Sequence, residues 1–138
     1  MVITKQLTQH TRGDGDTHDL THAVERAVKE SSVRSGVVTL FVVGSTAGLT
    51  TIEFEPGAVA DLQTAFERVA PRDGVYRHHL RWGDDNGHSH VRAAILGPSL
   101  SVPFADGRLA LGTWQQIVLV DFDTRPRRRE VVAQIVGE

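Results

Sequence analysis

Hydrophobic and polar positions alternate near both ends of the chain and recur at helical spacing between them. Val2–Arg12 alternates and carries Val and Thr, the pattern of a strand with one buried face. Gly13–Asp16 reads as a turn. Leu20, Val24, Ala27 and Val28 form an apolar stripe, so a helix is expected from a cap at Asp19 or Thr21 to about Ser35, with Gly36 just past its end. Gly36–Val43 (GVVTLFVV) is a β-branched apolar run that predicts a strand covered on both faces. Thr50–Phe54 predicts a further strand. Pro56-Gly57 opens a turn, and Ala58–Ala70 carries Val59, Leu62, Phe66 and Val69 on one helical face. Pro71–His90 has no periodicity and is the longest irregular stretch; Val91–Leu96 fits a helical turn or a short strand. Beyond Gly97-Pro98 a meander is expected, with strands at Leu100–Phe104, Arg108–Leu111, Gln115–Phe122 and Arg129–Val136. Two main helices and about seven strands predict an α+β chain, a single compact domain over residues 1–138, mostly an antiparallel β-sheet or sandwich.

Composition narrows the classes. The 138 residues are 40% hydrophobic and 23% charged, an ordinary globular balance. A net charge of −2 argues against nucleic acid as the partner of the whole surface. Without cysteine there is neither a disulfide nor a thiolate metal site, which suits a cytoplasmic location. No apolar run approaches the roughly 20 residues of a membrane helix, so no membrane partner is expected.

The polar stretch WGDDNGHSH, residues 82–90, concentrates the chemistry. With His78 and His79 it places four histidines and two aspartates within 13 residues. If the stretch is extended, Asp84, Asn86, His88 and His90 share one face, and residues two apart stand about 7 Å from each other. His88 and His90 then converge on one ion, whereas in a helix they diverge by about 200°. His78, His79, Asp84 or Asp85 can add N and O ligands suited to zinc, nickel, iron or manganese. The competing reading is a solvated Gly/Asp turn.

Other segments carry weaker signals. Gly44–Pro56 (GSTAGLTTIEFEP) offers Ser45 and Thr46 beside a glycine, either an anion cradle or an ordinary Thr-rich strand end. Glu53 and Glu55 share a strand face, as a base, as ligands or as solvated carboxylates. Arg72, Arg77, Arg81 and Arg92 flank the polar loop and can fork onto phosphate, or simply face solvent. Arg125–Arg129 (RPRRR) reads as a charged hairpin tip, with an RNA or phosphate patch as the alternative. Trp114-Gln115 is either core or a platform for a flat ring.

The strings NGHSH, LGPSL, GRLALGTWQQIVLVDFDTRPR and the VxGE ending resemble, in order, the YjbQ-like family, and GSTAGLTTIEFEP and the N-terminal strand and helix follow the same family. The resemblance covers essentially the whole chain. It implies a compact α+β subunit, a homotrimer with sites near subunit contacts, and secondary thiamine-phosphate synthase activity. That reaction joins a pyrimidine-methyl pyrophosphate to a thiazole phosphate with loss of pyrophosphate. It implies a transferase acting on a small phosphorylated substrate. The alternative is a metal- or phosphate-ligand-binding protein with another reaction, hydrolytic in one version. A trimeric interaction module without chemistry is the third class. His79, His88, His90, Glu53, Trp114 and Gln115 match the family pattern. One branch of the family has His-Thr-Thr where this chain has Gly44-Ser45-Thr46, so that histidine's role does not transfer. The expected catalytic residues are His88, His90, Glu53 and Asp85. The expected substrate-binding residues are Ser45, Thr46, Arg81, Asn86, Ser89, Arg92, Trp114 and Gln115. His79, His88 and His90 are the expected ligands of a divalent metal, zinc, magnesium or manganese.

Overall fold

A computed structural model describes all residues, Met1–Glu138. Its elements are β1 (Val2–Thr11), β2 (Asp16–Asp19), α1 (Thr21–Ser31), β3 (Gly36–Val42), β4 (Ala47–Ile52), α2 (Pro56–Val69), α3 (His78–Trp82), α4 (Gly87–Leu96), β5 (Ser99–Ala105), β6 (Arg108–Leu109), β7 (Gln116–Asp121) and β8 (Arg127–Gly137). A five-stranded sheet runs β1-β8-β3-β5-β6 and a three-stranded sheet runs β2-β7-β4. Every strand pairing in both sheets is antiparallel.

The larger core lies between the inner face of the first sheet (Val38, Leu40, Val42, Val102, Phe104, Val131, Ala133, Ile135), one face of the second (Ala47, Leu49, Ile117, Leu119), and α1. The second sheet's other face packs Val118, Val120 and Phe122 against Phe66 of α2 and Ala93 of α4. The strand buried on both faces is therefore β7. β3 instead alternates, with Val37 and Phe41 exposed on the outer face of its sheet. Its apolar run looked like a doubly covered strand because its outward positions are apolar too.

Local chemistry explains the helix ends. Glu55 accepts from the Gly57 and Ala58 N–H groups, and Pro56 occupies the first turn of α2. Those two bonds lower the Glu55 pKa, against a small opposing effect of burial. Glu55 is thus a helix cap. α1 stops at Ser31 because Ser32 turns left-handed (φ +62°), so Gly36 opens β3 rather than closing the helix.

Three further expectations give way. The stretch expected to be irregular contains α3 and the start of α4. The expected meander is interrupted, because β7 lies in the other sheet and β8 pairs with β1 and β3. Arg127–Arg129 belong to β8 rather than to a solvated tip. No helix is long and apolar enough to cross a membrane.

Candidate functional site

α4 governs the histidines. Its first turn is Gly87-His88-Ser89-His90, so His88 and His90 leave the axis on different sides. The extended geometry expected for this stretch does not occur, and with it goes the convergence of His88 and His90 on one ion. His88 is 2% exposed and faces Tyr76, ring centroids 6.4 Å apart. His79 approaches the same tyrosine, at 5.8 Å. His90 faces His78 instead, at 4.5 Å. No three His, Asp or Glu side chains converge as a metal-binding group. The expected metal set His79, His88 and His90 is therefore dispersed by the helix.

His90 and His78 line a cleft of about 410 Å³ with Ser45, Asn86, Asp84, Arg125 and two arginines of β8, Arg127 and Arg129. Its wall is a buried ionic network. Asp121 accepts from Arg129 through both carboxylate oxygens, Nε at 2.6 Å and Nη2 at 2.9 Å, and from the Thr11 hydroxyl at 2.5 Å. Arg129 also donates to Thr46 Oγ1, which donates to Asp123 Oδ2 at 2.9 Å. Arg127 Nε reaches the same Asp123 oxygen at 3.2 Å. Burial acts to raise the Asp123 pKa, but donors from Thr46, Asn86 and the Arg125 N–H, with the Arg127 charge, outweigh it and lower the pKa. The remaining guanidinium nitrogen of Arg129, Nη1, has no protein partner and lies 2.7 Å from where a Cβ on residue 44 would stand. Glycine at 44 admits it.

The other expected residues disperse. His88 and Arg92 line a second cleft, about 460 Å³, beside Glu67 and Arg72. Arg92 is already engaged by the Ala70 carbonyl and Glu67. Burial, then the charges of Arg92 and Arg72, lowers the His88 pKa, against weaker opposing pulls from the Asp85 carbonyl and Glu67. Glu53, Trp114 and Gln115 line a third cleft, about 660 Å³, with Asp19 and Glu25. Trp114 is 73% exposed, which removes the core reading for it. Ser89 is fully buried and donates to the Phe122 carbonyl, a packing role in place of the expected substrate contact. Arg81 sits over the Trp82 ring on α3, and Asp85 is exposed and lines none of these clefts. Ser45, Thr46, Asn86 and His90 are thus the expected residues that one cleft brings together; Thr46 acts there through its links to Arg129 and Asp123.

Sequence reasoning missed His78 as the partner of His90, and missed Asp121, Asp123 and Arg129. Their signal was present. Asp121 and Asp123, and Arg127 and Arg129, are two apart beside apolar strands, which puts each pair on one face.

Residues 5–138 match the model of a family described as UPF0047 protein YjbQ-like. The chain belongs to that family. It is 32% identical over 137 residues to a UPF0047 protein of Methanothermobacter thermautotrophicus, covering 99% of this chain and 94% of that one. It is 35% identical over 107 residues to the UPF0047 protein YjbQ of Salmonella typhimurium, covering 77% of each. The fold superimposes on a YbjQ-like protein of unknown function from Sulfolobus solfataricus P2 with a TM-score of 0.94 at 32% identity, covering 100% of this chain and 99% of that one. A hypothetical protein from Aeropyrum pernix K1 gives 0.91 at 31%, covering 99% of each.

Proposed function

We propose that the His78–His90 cleft binds the phosphate end of a small phosphorylated substrate, and that its reaction is thiamine-phosphate formation, as the family resemblance implies. The observation that carries this is Arg129. Its Nε and Nη2 are held by Asp121 and Thr46, while Nη1 is free beside Gly44. A guanidinium held that way is preorganised for an anion. The exposed Ser45 hydroxyl and His90 stand in the same cleft. Departure of pyrophosphate needs such donors where negative charge grows. No step of this reading runs through a metal held by the chain, since the histidines do not fit one.

A second reading is favoured by the separation of Trp114 and Gln115 from His90. Within one subunit, the platform expected to hold a pyrimidine is not beside the anion cleft. That arrangement suits a phosphate-ligand-binding protein with a hydrolytic reaction.

The test is thiamine phosphate formed from the two synthetic precursors, with magnesium, zinc and manganese each supplied. His90→Ala is expected to lower kcat on the order of 10²-fold, with a much smaller change in KM. Folded His90→Ala protein with full activity would refute this cleft as the active site. Absence of product from the wild type under all three metals moves the second reading ahead. We also propose a cytoplasmic homotrimer. Its support is an uncovered sheet face where Val2, Val136 and Val37 stand in one cross-strand row, with Phe41 two rows away.

A further inference from the structure

We infer that His78, oriented by Asp84, is the catalytic proton donor of this cleft, an assignment that rests on the reading that a phosphorylated substrate binds there. His78 opens α3, and Gly83 ends that helix with a left-handed turn (φ +63°) that brings Asp84 back toward it. The Asp84 Oδ1 atom lies 3.1 Å from His78 Nδ1. Nδ1 is closed off from solvent and makes no well-aligned hydrogen bond, and the Asp84 carboxylate is the charged group beside it. Nε2 carries no protein hydrogen bond and is not shut in, and the ring lines the cleft. Catalytic hydrogen bonds of this kind are commonly loose before substrate binds and tighten on it.

A carboxylate at Nδ1 holds an imidazolium in place and leaves the Nε2 proton available for transfer, the logic of carboxylate-oriented histidines in general. Asp84 and His90 stand against the ring, and Trp82, Asn86, Asp123, Arg125, Arg127 and Arg129 line the same cleft. In the proposed step the bond between the substrate's methylene carbon and a pyrophosphate oxygen breaks. The electron pair stays on that oxygen, which takes the Nε2 proton. The thiazole nitrogen supplies the pair for the new carbon–nitrogen bond, and His78 regains a proton from water. His79, next in sequence, is turned toward Tyr76 and takes no part.

The experiment combines nitrogen-15 histidine spectra of the whole chain, with and without inorganic pyrophosphate, and steady-state kinetics. Pyrophosphate is expected to shift the His78 Nε2 signal, and Asp84→Asn to change the protonation pattern at Nδ1. His78→Gln is expected to lower kcat on the order of 10²-fold, with KM within about threefold. Asp84→Asn, whose effect acts through His78, is expected to lower kcat about tenfold with KM little changed. A wild type that does not bind pyrophosphate overturns the substrate reading and this assignment together. Pyrophosphate binding without synthase activity overturns the donor role. Binding with a fully active, folded His78→Gln or an unaffected Asp84→Asn spectrum overturns the assignment of His78 alone and leaves the anion cleft standing.

Discussion

Arg128 and Arg129 are consecutive, yet removing them should have very unequal consequences. The Arg128 side chain is 64% exposed and pairs with Glu130 at the surface, at 2.9 Å. The Arg129 side chain is 8% exposed and pairs with Asp121, whose side chain is fully buried. Replacing Arg129 by Met deletes both of its bonds to Asp121 and the donor to Thr46. Removing one partner of a buried ion pair costs about 3–5 kcal/mol, because the other charge stays behind without compensation. The lower end applies here, since Thr11 and the Asp123 N–H still serve Asp121. For a chain of this size roughly 1 kcal/mol moves Tm by about 3–5 °C. Arg129→Met should therefore lower Tm by roughly 10–15 °C. Arg128→Ala should stay within about 2 °C, because exposed pairs contribute little. Circular dichroism melts at pH 7 measure both. The Asp121→Asn, Arg129→Met double variant should be less destabilised than the sum of the singles, since it leaves no buried charge unpaired. An Arg129→Met loss under about 3 °C, or equal to that of Arg128→Ala, refutes the idea that this pair organises the cleft wall.

Two further outcomes are expected. Light scattering on a sizing column should report about 45 kDa, three times the 15.1 kDa chain. Phe41→Asp on the uncovered sheet face should shift that mass toward the monomer; a wild-type monomer at micromolar concentration refutes the trimer. His88 gives a pH signature: with its pKa lowered in the fold, the folded chain holds this proton less well than the unfolded one. Its contribution is therefore complete above the unfolded value of about 6.5 and is lost as pH falls through that value toward the folded pKa. His88→Gln should flatten the fall of Tm between about pH 7 and 5; identical slopes in both proteins refute it.

The strands that alternate were legible because one face of each is wet. β1 and β8 read correctly to within two residues, and α2 announced itself through its apolar stripe, although Pro56-Gly57 read as a turn and not as its first residues. α4 did not, because glycine, serine and two histidines in its first turn carry little helical preference, and it is packing of Ala93 and Leu96 against β7 and its Phe122 that supports the helix. That difference reassigns the site. In an extended chain His88 and His90 would have shared a face. In the helix they separate, and the partner of His90 becomes His78.

The charges divide the same way. The sequence by itself determined the two-residue spacing of Arg127 and Arg129 and of Asp121 and Asp123, which an extended backbone turns into a shared face, whereas Arg127–Arg129 read as a hairpin tip until the fold placed them in β8. It also determined which residues can carry a proton. Tertiary structure alone decided which of these faces is buried, that Arg129 meets Asp121 and Thr46 from another sheet, and that Trp114 opens onto a different cleft from His90. The reason is physical: side-chain direction follows from local backbone geometry, whereas partnership depends on strand order and register between segments as distant as Thr11 and Asp121, set by how the whole chain buries its apolar surface.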